Sequence, residues 1–420
     1  MTPEEKFLTL ARAGRNLFLT GMAGTGKSWL LRQFIRESEP DFEAQECVAL
    51  KRIGVTAPTG IAALNVGGYT VNRWCGMLLG PQRGQTDGEF AAGLETSGNP
   101  ALFAGWKRAR TCSVLIIDEI SMLPGRTLTF LDFWMKRLRK DPRPFGGLQV
   151  IVVGDFLQLP PVRIGGGPYD WAFKSPAWAA AGFEQVTLTT VRRQDEPEWV
   201  QALGEFRMGR IVGRTAELLM ARVQPHAPEH MTRIYSRNSQ VDRWNLCMLG
   251  GLAEPERVYV AATRGPASQV EFLTKNLLTP SELVLRVGAR VMFTRNATSG
   301  AYVNGTLATV CVLGPDWCEV EIDGGECRSV IPAKWSSNPD GGGGATFEQL
   351  PLRLAYAMTI HKSQGQTLDG AFVDINSASE DGQAYVAVSR VRKLAGLWLR
   401  SWPKWVRVNP EALEFYESTR

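Results

Sequence analysis

Histidine is scarce in this chain, with only three among 420 residues (226, 230 and 361), and its seven cysteines include no C-x-x-C pair. So few nitrogen and sulfur ligands disfavour a protein-made transition-metal site. An odd number of unpatterned cysteines fits neither a disulfide framework nor a zinc site. No long apolar run is present to cross a bilayer, so no membrane partner is expected. The opening Met1-Thr2-Pro3-Glu4-Glu5 has neither the features of a signal peptide nor an arginine-rich transit sequence. A reducing, cytoplasmic setting is therefore the expectation. There is no internal repeat and, apart from the tetraglycine of 341–344, no low-complexity tract. Neither sign of charge dominates: the net charge of +5 tolerates a polyanionic partner without demanding one. What is present is apolar substance, 44% of 420 residues, enough for two or three domains.

The most informative stretch is GMAGTGKS, Gly21 to Ser28, directly after the apolar run Leu17-Phe18-Leu19. It matches the phosphate-binding pattern G-x-x-x-x-G-K-[ST] in the required context, between a strand and a helix. Glycines at 21, 24 and 26 let the backbone curl, so that N–H groups from Gly21 through Ala23, Gly24, Thr25 and Gly26 face phosphate oxygens. The helix expected over 28–35 aims its positive end at the same anion. Lys27 supplies a point charge to the β- and γ-phosphates, and the Ser28 hydroxyl can ligate Mg²⁺. The chain is expected to bind a nucleoside triphosphate.

Further along, Ser113 to Ile117 reads as a buried strand ending in Asp118-Glu119. On a parallel sheet that end lies beside the phosphate loop, where Asp118 can hold Mg²⁺ and Glu119 can polarise the attacking water. A second such strand, 149–153, runs into Gly154-Asp155-Phe156-Leu157-Gln158, and Gln158 can sense the γ-phosphate or simply be a satisfied loop residue. The helix expected over 128–140 carries Lys136, Arg137, Arg139 and Lys140, which suit nucleic acid or an ordinary solvated face. Residues 76–105 show little periodicity and read as an inserted loop or subdomain. One of Arg192 and Arg193 can reach a triphosphate and stabilise transition-state charge. From about 287 to 331 short strands follow one another, with Asn304-Gly305 as a hairpin signal between Val303 and Thr306.

The order of these signals resembles the Pif helicases, the petite-integration-frequency group of superfamily 1B DNA helicases. The resemblance runs from about Asn16 to Leu399. It rests on TGMAGTGKS at 20–28, TAPTGIAALNVGG at 56–68, LIIDEISML at 115–123 and GDFLQLPPV at 154–162. RQDEPEWVQALGEFRMG at 193–209, LPLRLAYAMTIHKSQGQTLD at 350–369 and AYVAVSR at 384–390 complete it. PFGG at 144–147 looks like the signature separating this group from RecD-like relatives.

The resemblance implies an α/β fold of two RecA-like P-loop domains with parallel sheets. The first spans 1–185, with a small wedge insertion at about 76–105. The second spans 186–269 and 346–420, with a small β-barrel inserted at 270–345. It implies that Gln158 senses the γ-phosphate and that Arg193 and Arg390 are arginine fingers. It places Gly365 with the nucleotide-binding residues. It further implies that Thr56, Pro58, Thr59, Arg73, Thr359, His361, Lys362 and Ser363 contact the DNA strand, and that ATP and Mg²⁺ are used. The partners it implies are single-stranded DNA and single/double-strand junctions, with quadruplexes and RNA–DNA hybrids within the family's range, the protein acting as a monomer in genome maintenance. Movement 5′ to 3′ comes from the resemblance alone.

Two positions depart from the family pattern. The adenine-reading glutamine upstream of Gly14 is absent, with Glu4-Glu5-Lys6 in its neighbourhood, and the usual His-Ser-Phe-Phe appears as Asn72-Arg73-Trp74-Cys75. Arg73 offers a phosphate grip there, and Trp74 reads as core rather than as a stacking face. Three other readings stay open: a RecD-like helicase, a DNA-bound ATPase clamp that does not unwind, and a P-loop phosphotransferase. The last leaves residues 186–420 without a purpose.

Overall fold

The glycine-punctuated apolar runs of the first half form a six-stranded parallel sheet, seen in a computed structural model. The structure describes residues 1–38, 52–77, 85–97, 99–163, 166–228, 231–295, 297, 302, 304–323, 325–337, 344–402 and 405–418. The chain divides into two compact units, Met1–Arg193 and Gln194–Arg420.

In the first unit the strands are β1 (Leu17–Gly21), β2 (Ile53–Ala57), β3 (Tyr69–Thr70), β4 (Val114–Ile117), β5 (Gln149–Val153) and β6 (Glu184–Leu188). Their order across the sheet is β3-β2-β4-β5-β1-β6. Strands β1, β4 and β5 are buried along their whole length, as continuous apolar runs in a parallel sheet covered on both faces must be. The helices are α1 (Pro3–Arg12), α2 (Lys27–Ser38), α3 (Gly60–Asn65), α4 (Val71–Trp74), α5 (Asp87–Thr96), α6 (Pro100–Thr111) and α7 (Gly125–Arg139), with a short helix Pro176–Ala181 before β6. Helix α2 buries Leu30, Leu31 and Phe34, the stripe its sequence spacing prescribes, against Phe7, Leu17, Leu19 and Val153.

The domain boundary expected after residue 185 lies later. Strand β6 pairs with β1 from Leu17↔Glu184 to Gly21↔Leu188, so it belongs to the first sheet and its unit runs to Arg193. The stretch 76–105, expected as an inserted loop or subdomain, holds helices rather than bare loop. Among the described residues of that stretch lie α5 and the start of α6, and Trp106 of α6 is buried, donating its indole N–H to Gly76 O at 3.0 Å. The reason is a close crossing that only glycines allow: a Cβ on Gly105 would sit 2.3 Å from Gly76 N. Residues 78–84 and 98 lie outside the described residues.

The PFGG segment is a structural clasp. Phe145 is buried in a left-handed conformation (φ 50°) and donates its N–H to Asp132 Oδ1 at 2.7 Å. Arg139 holds Gly146 O through Nε at 2.7 Å and reaches Ala109 O and Cys112 O through Nη1, both at 2.9 Å. The clasp thereby ties the connection before β5 to the connection before β4.

The second unit has a four-stranded parallel sheet with an antiparallel module inserted in its sequence. Strand β7 (Arg233–Tyr235) precedes the module. The module comprises β8 (Arg257–Val260), β9 (Ala262–Arg264), β10 (Glu282–Leu285), β11 (Arg290–Phe293), β12 (Leu307–Leu313), β13 (Cys318–Ile322), β14 (Glu326–Val330), β15 (Ala333–Ser336), β16 (Thr346–Gln349) and β17 (Leu352–Leu354). Then β18 (Ala357–Thr359), β19 (Ala371–Val373) and β20 (Leu397–Leu399) complete the parallel sheet in the order β18-β7-β19-β20.

The module is wider than the expected 270–345, because β8 pairs with β10 and β9 with β16. Its described strands form three antiparallel sheets, the largest β14-β13-β12-β11-β17, around a core that includes Tyr259, Leu285, Val291, Val310 and Val320. Asn304 and Gly305 sit in a turn but not in a two-residue hairpin. Strands β11 and β12 begin pairing at Met292↔Leu307, which leaves a longer connection between them. His230, Val303 and all of the tetraglycine link except Gly344 lie outside the described residues.

Candidate functional site

In a parallel sheet, the loops after adjacent strands meet along one edge. Along β4-β5-β1-β6 those loops carry, in turn, Asp118-Glu119, the Asp155–Gln158 turn, the glycine loop with Lys27, and Arg192-Arg193. The remaining strands, β2 and β3, run into Thr56–Thr59 and Arg73. One edge thus gathers the triphosphate candidates in one half and the first unit's strand-contact candidates in the other.

Gly21 is required at the start of the loop: its φ is 146°, and a Cβ there would meet Leu188 O of β6 at 2.5 Å. Lys27, at the first turn of α2, places Nζ over the loop and donates to Gly21 O at 2.6 Å and Met22 O at 2.9 Å. The far side of the loop is strapped by the chain leaving β6. The N–H groups of Arg192 and Arg193 both donate to Gly24 O, at 2.8 and 3.2 Å. The Arg192 guanidinium lies 5.6 Å from the Trp29 ring centroid and donates to Glu4 Oε1 at 2.9 Å. That bond holds the Glu4 carboxyl below its usual range. Sequence reasoning singled out the arginine pair but missed Glu4 and Trp29, whose roles depend on α1 and α2 flanking one loop. The departure near the start of the chain has a local reason as well. Glu5 closes a capping box with Thr2, accepting Thr2 N–H at 2.8 Å, while Glu4 takes Arg192.

The acid pair is set apart by burial and backbone conformation. Asp118 is 6% exposed, and its Oδ1 accepts Glu119 N–H at 2.9 Å. Burial pushes the Asp118 carboxyl above its ordinary range, opposed by that N–H and by the charges of Lys27 and Arg32. Glu119 is left-handed (φ 52°, ψ 43°), a strained state for a non-glycine residue and one that clusters at working sites. Gln158 is buried and built onto the wholly buried Asp155. Its Nε2 donates to Asp155 Oδ2 at 3.3 Å and its N–H to Asp155 O at 2.9 Å.

A buried carboxylate with an upward-shifted pKa, paired in sequence logic with a serine hydroxyl, is a hard-oxygen donor set that fits a divalent cation. No cluster of three or more His, Cys, Asp or Glu able to hold a metal exists among the described residues, and the six described cysteines are free thiols.

The shift at Asp118 has a stability consequence. A carboxyl whose folded pKa is raised costs stability as pH climbs from the ordinary carboxylate range through the raised one, and the full cost is present above it. Asp118→Asn removes that cost, so in the absence of nucleotide its Tm at neutral pH should exceed the parent's by about 2 °C or more. The gap should narrow on acidification while Mg²⁺-dependent hydrolysis is lost. A melting curve showing a lower Tm for Asp118→Asn would contradict this account.

Several strand-contact candidates are corrected. Thr56 is fully buried in β2, and its hydroxyl donates to Ile116 O at 2.7 Å. Ser363 is equally buried, its hydroxyl donating to Ile360 O at 2.8 Å. Neither side chain is offered to a ligand, because both close hydrogen bonds that a buried hydroxyl would otherwise lack. Thr59 and Thr359 cap the helices Gly60–Asn65 and Ile360–Ser363, accepting Ala62 N–H and Lys362 N–H. Pro58 is half-buried.

Arg73 lies 5.8 Å from the Tyr69 ring, with its pKa lowered by burial and by Arg108. Trp74 is core, filling the space above Gly54. The basic residues of α7 also resolve as structural: Lys136 pairs with Asp132, Arg137 with Glu95, and Arg139 belongs to the PFGG clasp.

In the second unit, His361 and Lys362 follow β18. Burial lowers the pKa of His361, opposed by Glu380. Burial followed by the neighbouring Arg353 lowers that of Lys362, opposed by Asp242. Gly365 is exposed with φ 79°. Arg390 is 2% exposed, with Nε on Val386 O and Nη2 on Ser389 Oγ, each at 2.8 Å. Gln194 Nε2 is held by Ser389 O and Val391 O at 3.1 and 3.0 Å.

A sequence model of the family described as PIF1-like helicase matches residues 8–205. A protein of Bdellovibrio bacteriovorus named ATP-dependent DNA helicase Pif1 is 37% identical over 99% of this chain and 92% of its own length. The chain spans 64% of a longer Xenopus laevis relative of the same name, at 33% identity. Among solved structures, Bacteroides Pif1 in complex with ADP-AlF4 superposes with a TM-score of 0.84 at 28% identity, covering 100% of this chain and 96% of that one. Bacteroides Pif1 bound to single-stranded DNA gives a TM-score of 0.67 at 29% identity, covering 99% and 96%.

Proposed function

Because the chain belongs to the PIF1-like helicase family, we propose that it is an ATP-dependent DNA helicase that moves 5′ to 3′ along a single strand and separates duplex or structured DNA. One observation carries the reading. Glycine loop, acid pair, glutamine and arginine pair follow four adjacent strands of one parallel edge, and the first unit's strand-contact candidates follow the other two.

The work divides among residues accordingly. The loop N–H groups and Lys27 bind the triphosphate and draw charge from its terminal phosphoryl group. Ser28 and Asp118 hold Mg²⁺, which when bound neutralises phosphate charge. Glu119 polarises the attacking water, and Gln158, kept in place by Asp155, reports the γ-phosphate. Arg193 and Arg390 supply positive charge as it is needed in the transition state. Pro58, Thr59, Arg73, Thr359, His361 and Lys362 grip the strand without reading its sequence, as backbone-directed contacts do. Gly365, as the family resemblance implies, serves nucleotide binding.

The test is strand displacement from two matched partial duplexes, one 5′-tailed and one 3′-tailed, with ATP and Mg²⁺, using Lys27→Ala as control. Displacement from the 5′-tailed substrate only is the expected result. Displacement from the 3′ tail would overturn the polarity, and DNA-stimulated hydrolysis without displacement from either would identify a clamp.

A further inference from the structure

The parallel sheet of the second unit ends in a pocket that none of the roles above uses. Register brings three strand ends together: Thr359 pairs with Tyr235, and Val373 with Ile234. The end of β7 therefore has the turn that carries His361 and Lys362 on one side, and on the other the residues after β7 and those after β19 lie next to each other. Between them opens a cavity of about 710 Å³, a size that accommodates a small ligand.

Its walls are chemically specific. Trp405 is 63% exposed there, an unusual state for the largest apolar side chain, and Arg407 lies 5.8 Å from its ring centroid. Arg237 and Arg407 are exposed and make no ion pair among the described residues. Arg237 also begins the 13-residue helix Asn238–Gly250, whose N-terminus has no side-chain cap. The lining also carries two acceptors. Gln240 Oε1 is buried without a hydrogen-bond partner, and Glu380 is near enough to His361 to oppose the lowering of its pKa. The wall is also held in place: Gly382 N–H donates to Arg407 O at 3.0 Å, and Asn376 Nδ2 donates to Ser401 Oγ and Trp402 O.

We propose that this pocket takes one unstacked nucleobase of the single strand. Trp405 provides the stacking face, Gln240 and Glu380 accept from the base's exocyclic amine, and Arg237 and Arg407 hold the flanking phosphates. The chemistry is that of a stacking platform with a basic rim. The acidic Glu380 of the lining repels phosphate and so assigns its side of the pocket to the base. The uncapped helix end beside Arg237 adds N–H donors for the phosphate. This inference rests on the proposed function, because it presumes a single strand passing the His361–Lys362 turn.

An oligonucleotide scanned with a single abasic site at each position tests it, read by fluorescence anisotropy with the parent protein, Trp405→Ala and Trp405→Phe. In the parent, one position should weaken binding about tenfold. In Trp405→Ala the intact strand should bind about tenfold more weakly, and the position-specific loss should vanish. Trp405→Phe should restore most of both, and hydrolysis without DNA should be unchanged in either variant. Arg407→Ala should reduce the salt slope of binding by about one. A flat abasic scan in the parent, or a position-specific loss that persists in Trp405→Ala, would overturn the pocket assignment while leaving the helicase reading intact. A parent protein that binds no single strand would overturn both.

Discussion

Lys27→Ala is expected to lower ATP hydrolysis by about a thousandfold or more while leaving single-strand affinity within about twofold of the parent. Its ammonium group is the loop's own point charge, positioned over Gly21 O and Met22 O. Removing a preorganised charge from a site where phosphate charge develops falls almost entirely on the barrier to hydrolysis. Loop conformation should survive, because Gly21, Gly24 and Gly26 hold their positive φ values independently of the lysine, and the strap from β6 still bonds Gly24. The strand-contact candidates follow other strands, so binding and hydrolysis separate. Steady-state hydrolysis with and without DNA, alongside anisotropy, checks this. Full turnover in Lys27→Ala would remove the glycine loop from the mechanism.

Arg390→Ala is expected to cut kcat by about a thousandfold with nucleotide affinity little changed, since a finger acts on the transition state more than on the ground state. The structure adds a second consequence that the sequence did not suggest. The guanidinium is buried and bonded to Val386 O and Ser389 Oγ, so its loss leaves buried acceptors unmatched and should lower Tm by several degrees. Ser389→Ala separates the two effects, because it disturbs the same packing without touching the charge. If Ser389→Ala matches Arg390→Ala in Tm but retains turnover, the finger role stands. If the two lose turnover in parallel, Arg390 is a structural residue that braces the helix Gln383–Val388 through Val386 O.

Much of the site was legible because its signals are local. A phosphate loop needs glycines at set spacings and a lysine at the first helical turn, so Gly21 to Ser28 announces itself in eight residues. Buried parallel strands are short continuous apolar runs, so β1, β4 and β5 were placed within a residue or two. Hydroxyl chemistry was less legible. Thr56, Thr359 and Ser363 look alike in sequence as polar residues in a binding motif, yet each hydroxyl is committed to a neighbouring backbone group. Whether a side chain faces a ligand or a carbonyl 60 residues away is a question of strand order, which no local pattern encodes.

The sequence by itself determined the candidate chemistry of this protein: a phosphate-loop pattern, an acid pair, a glutamine and paired arginines, in an order that resembles one helicase group. Tertiary structure alone decided how those parts are held. It assigned Glu184–Leu188 to the first sheet through its pairing with β1, and it buried Trp106 beneath a Gly76–Gly105 crossing. It drew Arg192 onto Glu4, 188 positions away, and it assembled a pocket around Trp405 from segments far apart in the chain. The physical reason is the same in each case. Backbone conformation and charge are written residue by residue, whereas burial and hydrogen-bond partnership arise only when distant segments are packed against one another.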